Sequence, residues 1–303
     1  SIKEVAFVGL KIAVIGGTGL AGSNIVKALS SAHEVRAFCR GVAPNIPRSM
    51  SVVIDFNYLT EALTKSFSQW HPDIIINAVA LVNLNKCEEY PELAKYLNEI
   101  VACQICEIGM VFNSYVVQLS TDHFFNDTYK LHTEKSRIKL LNMYAKTKRN
   151  GEKCCLKCKK TVVIRTNIIG FRNRQALAFF EWLLHSLRTS KTSLYTNYFT
   201  SPIAIQLLAE MIPMLYARNL SGLYNIGSSN VLSKYEFGCK VAQNFKITNP
   251  NIEPVELVDT PLLSRAKTLG LDVSLIEKDL SVKMPTVDES LEQLLKESLN
   301  AQN

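Results

Sequence analysis

Tyr144 and Lys148 stand four residues apart in the run Tyr144-Ala145-Lys146-Thr147-Lys148, with Ser120-Thr121-Asp122 upstream. On a helix, positions i and i+4 share one face, so phenol and ammonium project together. A phenol with a reference pKa of ~10 exchanges protons poorly near neutrality. A neighbouring ammonium favours the phenolate and draws the group toward the working pH. Such a pair is suited to protonate a carbonyl oxygen while its carbon accepts hydride. Thr121, at an expected strand end, is placed to hydrogen-bond the same oxygen. Tyr-x-x-x-Lys also arises by chance on exposed helices. Here it follows the fifth strand of a βα array, with Ser-Thr at the preceding strand end. Asn98, in the intervening helix, reads either as a relay member or as a solvent-facing polar residue.

A hydride donor needs its own cradle, and the N-terminal region carries one. Ile12-Ala13-Val14-Ile15 leads into Gly16-Gly17-Thr18-Gly19-Leu20-Ala21-Gly22. Both Gly17-x-Gly19-x-x-Gly22 and Gly16-x-x-Gly19-x-x-Gly22 are present between an expected strand and helix, the context that makes a dinucleotide fingerprint meaningful. Glycine permits the sharp turn and close backbone approach. The free N–H groups of the following helix face the pyrophosphate. The next strand, Val35–Cys39, is followed by Arg40, where an NAD site usually places an acidic residue. Arg40 suits the additional 2′-phosphate of NADP; the competing reading is a surface arginine at a strand end. The expectation is therefore NADP(H), with Asp55 reaching the adenine amino group. Lys148 is also expected at the nicotinamide ribose.

The elements that position these residues read as an α/β fold, a Rossmann-type doubly wound parallel sheet with a smaller C-terminal substrate-binding lobe. Strands are expected at Lys11–Ile15, Glu34–Cys39, Ser51–Ile54, Asp73–Asn77, Ser114–Leu119 and Thr161–Arg165. Helices are expected at Ala21–Ser30, Leu59–Ser66, Pro91–Met110 and Asn142–Lys157. After Gly170 the alternation loosens, with helices at Gln175–Arg188, Ile203–Leu215, Ser233–Asn244 and Thr286–Leu299, and a strand at Gly222–Ile226. The division is residues 1–170 for the nucleotide domain, with 200–228 returning to it, and 171–303 mostly for the smaller lobe.

The 303 residues are 47% hydrophobic and 20% charged, enough to bury a full core and inconsistent with disorder. The longest apolar run, Val5 to Gly17, is interrupted by Lys11 and reads as a buried strand, so no membrane association is expected. No targeting or lipidation signal is read, and a cytoplasmic protein is the expectation. The net charge of +7 is spread along the chain without a basic stripe interleaved with aromatics, which argues against nucleic acid. Of eight cysteines, Cys103 and Cys106 read as small core residues, while Cys154, Cys155 and Cys158 end a helix. No histidine completes either C-x-x-C pair, so no metal and only free thiols are expected.

At these residues the chain resembles the extended short-chain dehydrogenase/reductases, and within them the dTDP-4-dehydrorhamnose reductase group. The resemblance is carried by the glycine turn, Pro72–Ala78, Leu119–Phe125, Tyr144–Glu152, Ile164–Asn167, Gly222–Ile226 and Arg265–Asp272. It implies reduction by NADPH of the 4-keto group of a nucleotide-linked 6-deoxyhexose. It assigns catalysis to Thr121, Tyr144 and Lys148. Cofactor contacts fall on Gly16, Thr18, Gly19, Leu20, Ala21, Gly22, Arg40, Asp55, Phe56, Ala78, Val79, Ala80, Tyr144 and Lys148. His123 replaces the usual aromatic after Ser-Thr-Asp, and Gly170–Arg174 departs from the common form, so the sugar is left open. His123, Asn167, Arg172, Arg174 and Arg265 are the substrate candidates, the arginines by charge alone. The resemblance leaves room for a homodimer. An epimerase or dehydratase of the superfamily is an alternative, although Asp122-His123 lacks the acidic neighbour expected of a dehydratase. A second alternative is a non-catalytic regulatory subunit like that of methionine adenosyltransferase, which resembles the same group.

Overall fold

The computed structural model describes residues 9–44, 46–172, 177–258 and 264–300. The chain divides into two compact units. One holds the described residues of Ser1–Thr121, Asn142–Arg165 and Ala209–Tyr224; the other holds those of Asp122–Leu141, Thr166–Leu208 and Asn225–Asn303.

The first unit is built on a seven-stranded sheet. Its strands are β1 (Lys11–Ile15), β2 (Glu34–Cys39), β3 (Ser51–Val53), β4 (Ile74–Asn77), β5 (Tyr115–Leu119), β6 (Thr161–Arg165) and β7 (Gly222–Asn225), in the order β7-β6-β5-β4-β1-β2-β3. Pairings from β3 across to β6 are parallel. Parallel strands covered on both faces are buried along their length and run largely apolar. Accordingly Ile74-Ile75-Ile76 is buried, as are all five residues of β5 and of β6. Register brings Ile15 opposite both Phe38 and Asn77, and Asn77 opposite Gln118. The carboxyl ends of the central strands therefore open along one edge, beside the point where strand order reverses between β1 and β4. That is where doubly wound sheets bind ligands.

Four helices matter to that edge. These are α1 (Leu20–Leu29), α2 (Leu59–Trp70), α3 (Val101–Val111) and α4 (Met143–Cys155). Helix α2 runs past the expected Ser66 because Phe67 and Trp70 continue the buried face begun by Leu59 and Leu63; it stops at His71, whose φ is 53°. The single helix expected over Pro91–Met110 is interrupted. Pro91–Lys95 gives way to a π-helical turn, Tyr96–Ile100, before α3 begins. The wide turn accommodates Asn98, whose side chain bonds backbone outside the helix. Such π turns recur at functional sites.

The second unit contains α5 (Phe179–Thr189), α7 (Lys234–Asn244) and α8 (Val287–Asn300), with α6 (Ile205–Ala217) starting within it. Its core gathers Phe180, Leu183, Leu187, Phe237, Val241, Leu291 and Leu294. Helix α5 begins at Phe179, with Glu181 accepting from the Ala178 amide; the expected start at Gln175 lies outside the described residues. Helix α6 begins two residues later than expected because Ile203–Ala204 pairs in parallel with Ile168–Ile169. Ser233 caps α7 through the Glu236 amide, and Glu236 reciprocates.

The cysteines depart from the expectation of free thiols. Cys103 of α3 and Cys154 of α4 form a disulfide, with Cα atoms 5.6 Å apart, while the other six are not in disulfides. Cys103 faces α4 rather than the core. Gly151 brings the two helices together there, since a Cβ at that position would collide with the Asn98 carbonyl.

Candidate active site

The turn from β1 to α1 is shaped by steric demands at Gly16, Gly17 and Gly22; a Cβ on Gly17 would meet Ala37 Cβ at 2.7 Å. Gly16 has φ +89°, and a Cβ on it would press on Val79 Cγ2 at 3.0 Å and Ala78 carbonyl carbon at 3.1 Å. A Cβ on Gly22 would run into the Gly16 carbonyl, so this glycine lets α1 close on the strand. Gly19 differs, because a Cβ there would meet only the Gly16 oxygen, at an ordinary 3.5 Å. The protein's own packing does not require glycine at this position. As N-cap it makes no side-chain hydrogen bond, so the amides at the start of α1 have no cap from it. A concave backbone with a bare helix N-terminus is the arrangement that receives a dinucleotide pyrophosphate.

Neighbouring loops extend the cradle. Ala78, Val79 and Ala80 follow β4, with the Ala78 amide bonded to the Ile15 carbonyl and the Val79 amide to Asn77 Oδ1. Arg40, Asp55, Phe56, Asn57, Tyr96 and Leu97 line a pocket of about 500 Å³ beyond the ends of β2 and β3. Arg40 is exposed there and Phe56 buried. Asp55 Oδ1 accepts from the Asn57 amide at 2.9 Å, which fixes the carboxylate at the pocket wall. The lining thus brings a guanidinium, a carboxylate and an aromatic ring to one pocket.

The Tyr144–Lys148 pair is carried by α4. Asn142 caps it by accepting from the Ala145 amide. Tyr144, Lys148, Glu152 and Cys155 then follow on its buried side. Tyr144 is 7% exposed and Lys148 4%. Lys148 Nζ donates to the Leu119 carbonyl at 2.7 Å, two residues before Thr121, which is itself buried. Burial pulls the Lys148 pKa down to about 8, against the opposing negative influence of Glu152 and Cys155. Asn98 is buried rather than solvent-facing. It accepts from the Leu81 amide, donates to the Leu81 carbonyl and donates to Thr147 Oγ1 at 3.1 Å, tying the π turn to α4.

A network below this pair was not assigned from sequence. Glu152 receives Arg165 Nε and Nη2, each at 2.9 Å, Ser120 Oγ at 2.7 Å and Arg149 Nη1 at 2.7 Å. Burial alone would raise the Glu152 carboxyl, but Arg165, with Ser120 and Arg149, outweighs it and holds the pKa below the ordinary value. The signal was available: Glu152 lies four residues after Lys148, on the same face.

Four substrate candidates belong to the second unit, and Arg174 lies outside the described residues. Asn167 Nδ2 donates to Asp122 Oδ2 and Thr200 Oγ1, both at 2.8 Å. His123 is held neutral, its pKa lowered to about 4 by burial and by the charges of Lys234 and Arg265. Those three residues therefore converge. The Arg172 amide donates to Glu181 Oε1, in the first turn of α5, at 3.0 Å. Lys234 was missed by sequence reasoning. Its ammonium lies 4.1 Å from the Phe179 ring and 5.4 Å from that of Tyr198, and burial lowers its pKa to about 8. Nothing in the spacing around Lys234 distinguishes it from a solvated lysine.

Known proteins share this architecture. The chain is 24% identical over 305 residues to the dTDP-4-dehydrorhamnose reductase of Salmonella typhimurium, covering 95% of this chain and 98% of that one. It is 22% identical over 291 residues to methionine adenosyltransferase 2 subunit beta of Rattus norvegicus, covering 91% and 84%. Among solved structures, dTDP-4-dehydrorhamnose reductase from Bacillus anthracis str. Ames in complex with NADP aligns with a TM-score of 0.83 at 20% identity, over 96% of this chain and 99% of that one. At that identity the likeness is one of fold. The family model of the RmlD substrate binding domain spans residues 10–300, and the chain belongs to that family.

Proposed function

We propose that this chain is an NADPH-dependent oxidoreductase that reduces the 4-keto group of a nucleotide-diphospho-6-deoxyhexose, a step of deoxysugar biosynthesis. The observation that carries this reading is the Tyr144–Lys148 face of α4. Both side chains are buried, and Lys148 is fastened to Leu119, the last residue of the strand that leads to Thr121. NADPH bound at the glycine turn supplies hydride to the carbonyl carbon. Tyr144 delivers its phenolic proton to the carbonyl oxygen, Lys148 holds positive charge beside it, and Thr121 orients the oxygen by a hydrogen bond. Gly16, Thr18, Gly19, Leu20, Ala21 and Gly22 hold the pyrophosphate, and Arg40 the 2′-phosphate. Asp55, Phe56, Ala78, Val79 and Ala80 complete the adenosine and ribose walls.

The second unit serves as the substrate lobe in this reading, with His123, Asn167, Arg172 and Arg265 as sugar-nucleotide contacts. A cytoplasmic location and a homodimer go with it; among the described residues no helix is long and apolar enough to cross a membrane. The relation to the rat beta subunit favours one other reading, a non-catalytic NADP-binding regulatory subunit. The two separate on turnover. NADPH oxidation with dTDP-4-dehydrorhamnose, measured for the chain and for Tyr144→Phe, is the test. Turnover that Tyr144→Phe abolishes while NADPH still binds supports the reductase. Tight NADPH binding without turnover on any keto-sugar sinks it in favour of the regulatory reading.

A further inference from the structure

Five of the eight cysteines gather at the seam between α3 and α4. Cys103 and Cys106 lie one turn apart on α3. Cys154 and Cys155 end α4, and Cys158 follows in the turn beyond it. Among the described residues no group of three or more His, Cys, Asp or Glu side chains is arranged to hold a metal.

The five divide by exposure. Cys106 and Cys155 are 1% and 0% exposed. Cys155 Sγ is engaged with the Ala102 carbonyl at 3.6 Å. A hydrogen bond with Cys155, followed by burial, pushes the Cys106 thiol far up, so it stays protonated and unreactive. Cys103, Cys154 and Cys158 are partly exposed, and the first two meet across 51 residues of chain. Their 5.6 Å Cα separation is within the range a disulfide spans without moving backbone. Beside the pair, Gly151 lets α4 pack closely on the Asn98 carbonyl and on Ala102 of α3, where a Cβ would collide with the carbonyl.

We propose that Cys103 and Cys154 form a reversible thiol–disulfide site that clasps α3 to the helix bearing Tyr144 and Lys148. Its oxidant is a low-molecular-weight disulfide. One protein thiolate attacks that disulfide, forming a mixed disulfide and expelling one small thiolate. The second protein thiolate attacks the sulfur of the first, closing the Cys103–Cys154 bond and expelling the other. Two protein thiols are oxidised, one small disulfide is reduced to two thiols, and the two protons go to solvent or to the leaving thiolates. The site differs from a lone reactive cysteine in having a built-in resolving partner.

Its placement gives the bond a consequence. The Asn98–Thr147 hydrogen bond ties the π turn to the first half of α4. The cysteine pair ties α3 to the C-terminal end, about two turns further on. Lys148 and Glu152 lie between the two ties. Closing the disulfide therefore restrains the stretch of α4 that carries the ammonium and the buried carboxylate.

The test uses the full chain, reduced with dithiothreitol, desalted and titrated with oxidised glutathione. Expected is the loss of two titratable thiols and one cross-linked peptide pair containing Cys103 and Cys154, both reversed by dithiothreitol without unfolding. Cys103→Ser should stop at a glutathione adduct on Cys154, and Cys154→Ser at one on Cys103. Amide exchange across α3 and α4 should slow severalfold on oxidation of the native chain, and the thermal midpoint should rise by roughly 5–10 °C. Neither variant should show that redox dependence. Oxidation that cross-links another pair, leaves both cysteines as separate adducts, or cannot be reversed in the folded chain overturns the proposal. So does a Cys103–Cys154 bond that leaves exchange in α4 unchanged. The native-chain comparison needs neither variant to fold.

Discussion

Glu152 and Arg165 meet in a two-point ion pair, Nε to Oε1 and Nη2 to Oε2, each at 2.9 Å, with the two residues both fully buried. The pair joins α4 to β6 directly beneath Lys148. Ser120, adjacent to Thr121, donates to the same carboxylate. The network thus links the element carrying Tyr144 to the segment carrying Ser120 and Thr121.

Removing one partner leaves a buried charge unpaired, which costs about 3–5 kcal/mol. Glu152→Gln is expected to lose stability of that order in denaturant titration. The carboxyl pKa is lowered in the folded state, so its contribution is present above the unfolded pKa and is lost as pH falls through the folded value. The native chain should therefore lose stability on acidification below the ordinary glutamate range, and Glu152→Gln should lose less. Equal acid sensitivity in the two would contradict the assignment.

Lys148 sets a limit on the alkaline side. Its pKa of about 8 means that its ammonium is discharged well below the ordinary lysine range. Since the charge beside Tyr144 is needed, kcat/KM for ketoreduction should fall as pH rises through about 8. Stability moves the other way. Below that pH folding carries a desolvated ammonium, so the native chain gains stability between about 8 and the unfolded lysine value. Lys148→Met should show a shallower gain, and NADPH oxidation at a rate at least about 100-fold below the native chain.

The glycines of the turn should separate folding from binding. Gly22→Ala forces a Cβ into the Gly16 backbone and is expected to destabilise the chain by about 1–3 kcal/mol. Gly19→Ala meets only an ordinary contact, so the thermal midpoint should stay near native while NADPH affinity drops about tenfold or more. Calorimetric titration with NADPH beside a thermal melt distinguishes them. Retained affinity in Gly19→Ala would remove the pyrophosphate from this turn.

Arg40 should decide between the two nicotinamide dinucleotides. A charge-assisted contact with phosphate contributes about 1.5–3 kcal/mol. Arg40→Ala is therefore expected to raise the KM for NADPH roughly 10- to 100-fold while leaving that for NADH within about twofold. Parallel changes for both cofactors would show that the pocket beside Asp55 and Phe56 does not read the 2′-phosphate.

What the sequence determined by itself was the local chemistry. The glycine turn between an apolar run and a helix, the Tyr144–Lys148 spacing and the alternating strands all rest on contacts within a few residues or on burial of continuous apolar stretches, and a linear pattern records both. The tertiary structure decided what depends on residues far apart in the chain. Glu152 became a hub only when β5 and β6 brought Ser120 and Arg165 to it. Asn98 turned inward because a π turn changed the phase of its helix, which periodicity alone would have kept regular. Cys103 left the core for the α4 seam because Gly151 lets two helices touch. Lys234 acquired its lowered pKa from burial, against the opposing charge of Asp122. Desolvation and long-range pairing are properties of assembled surfaces, so no spacing in the chain encodes them.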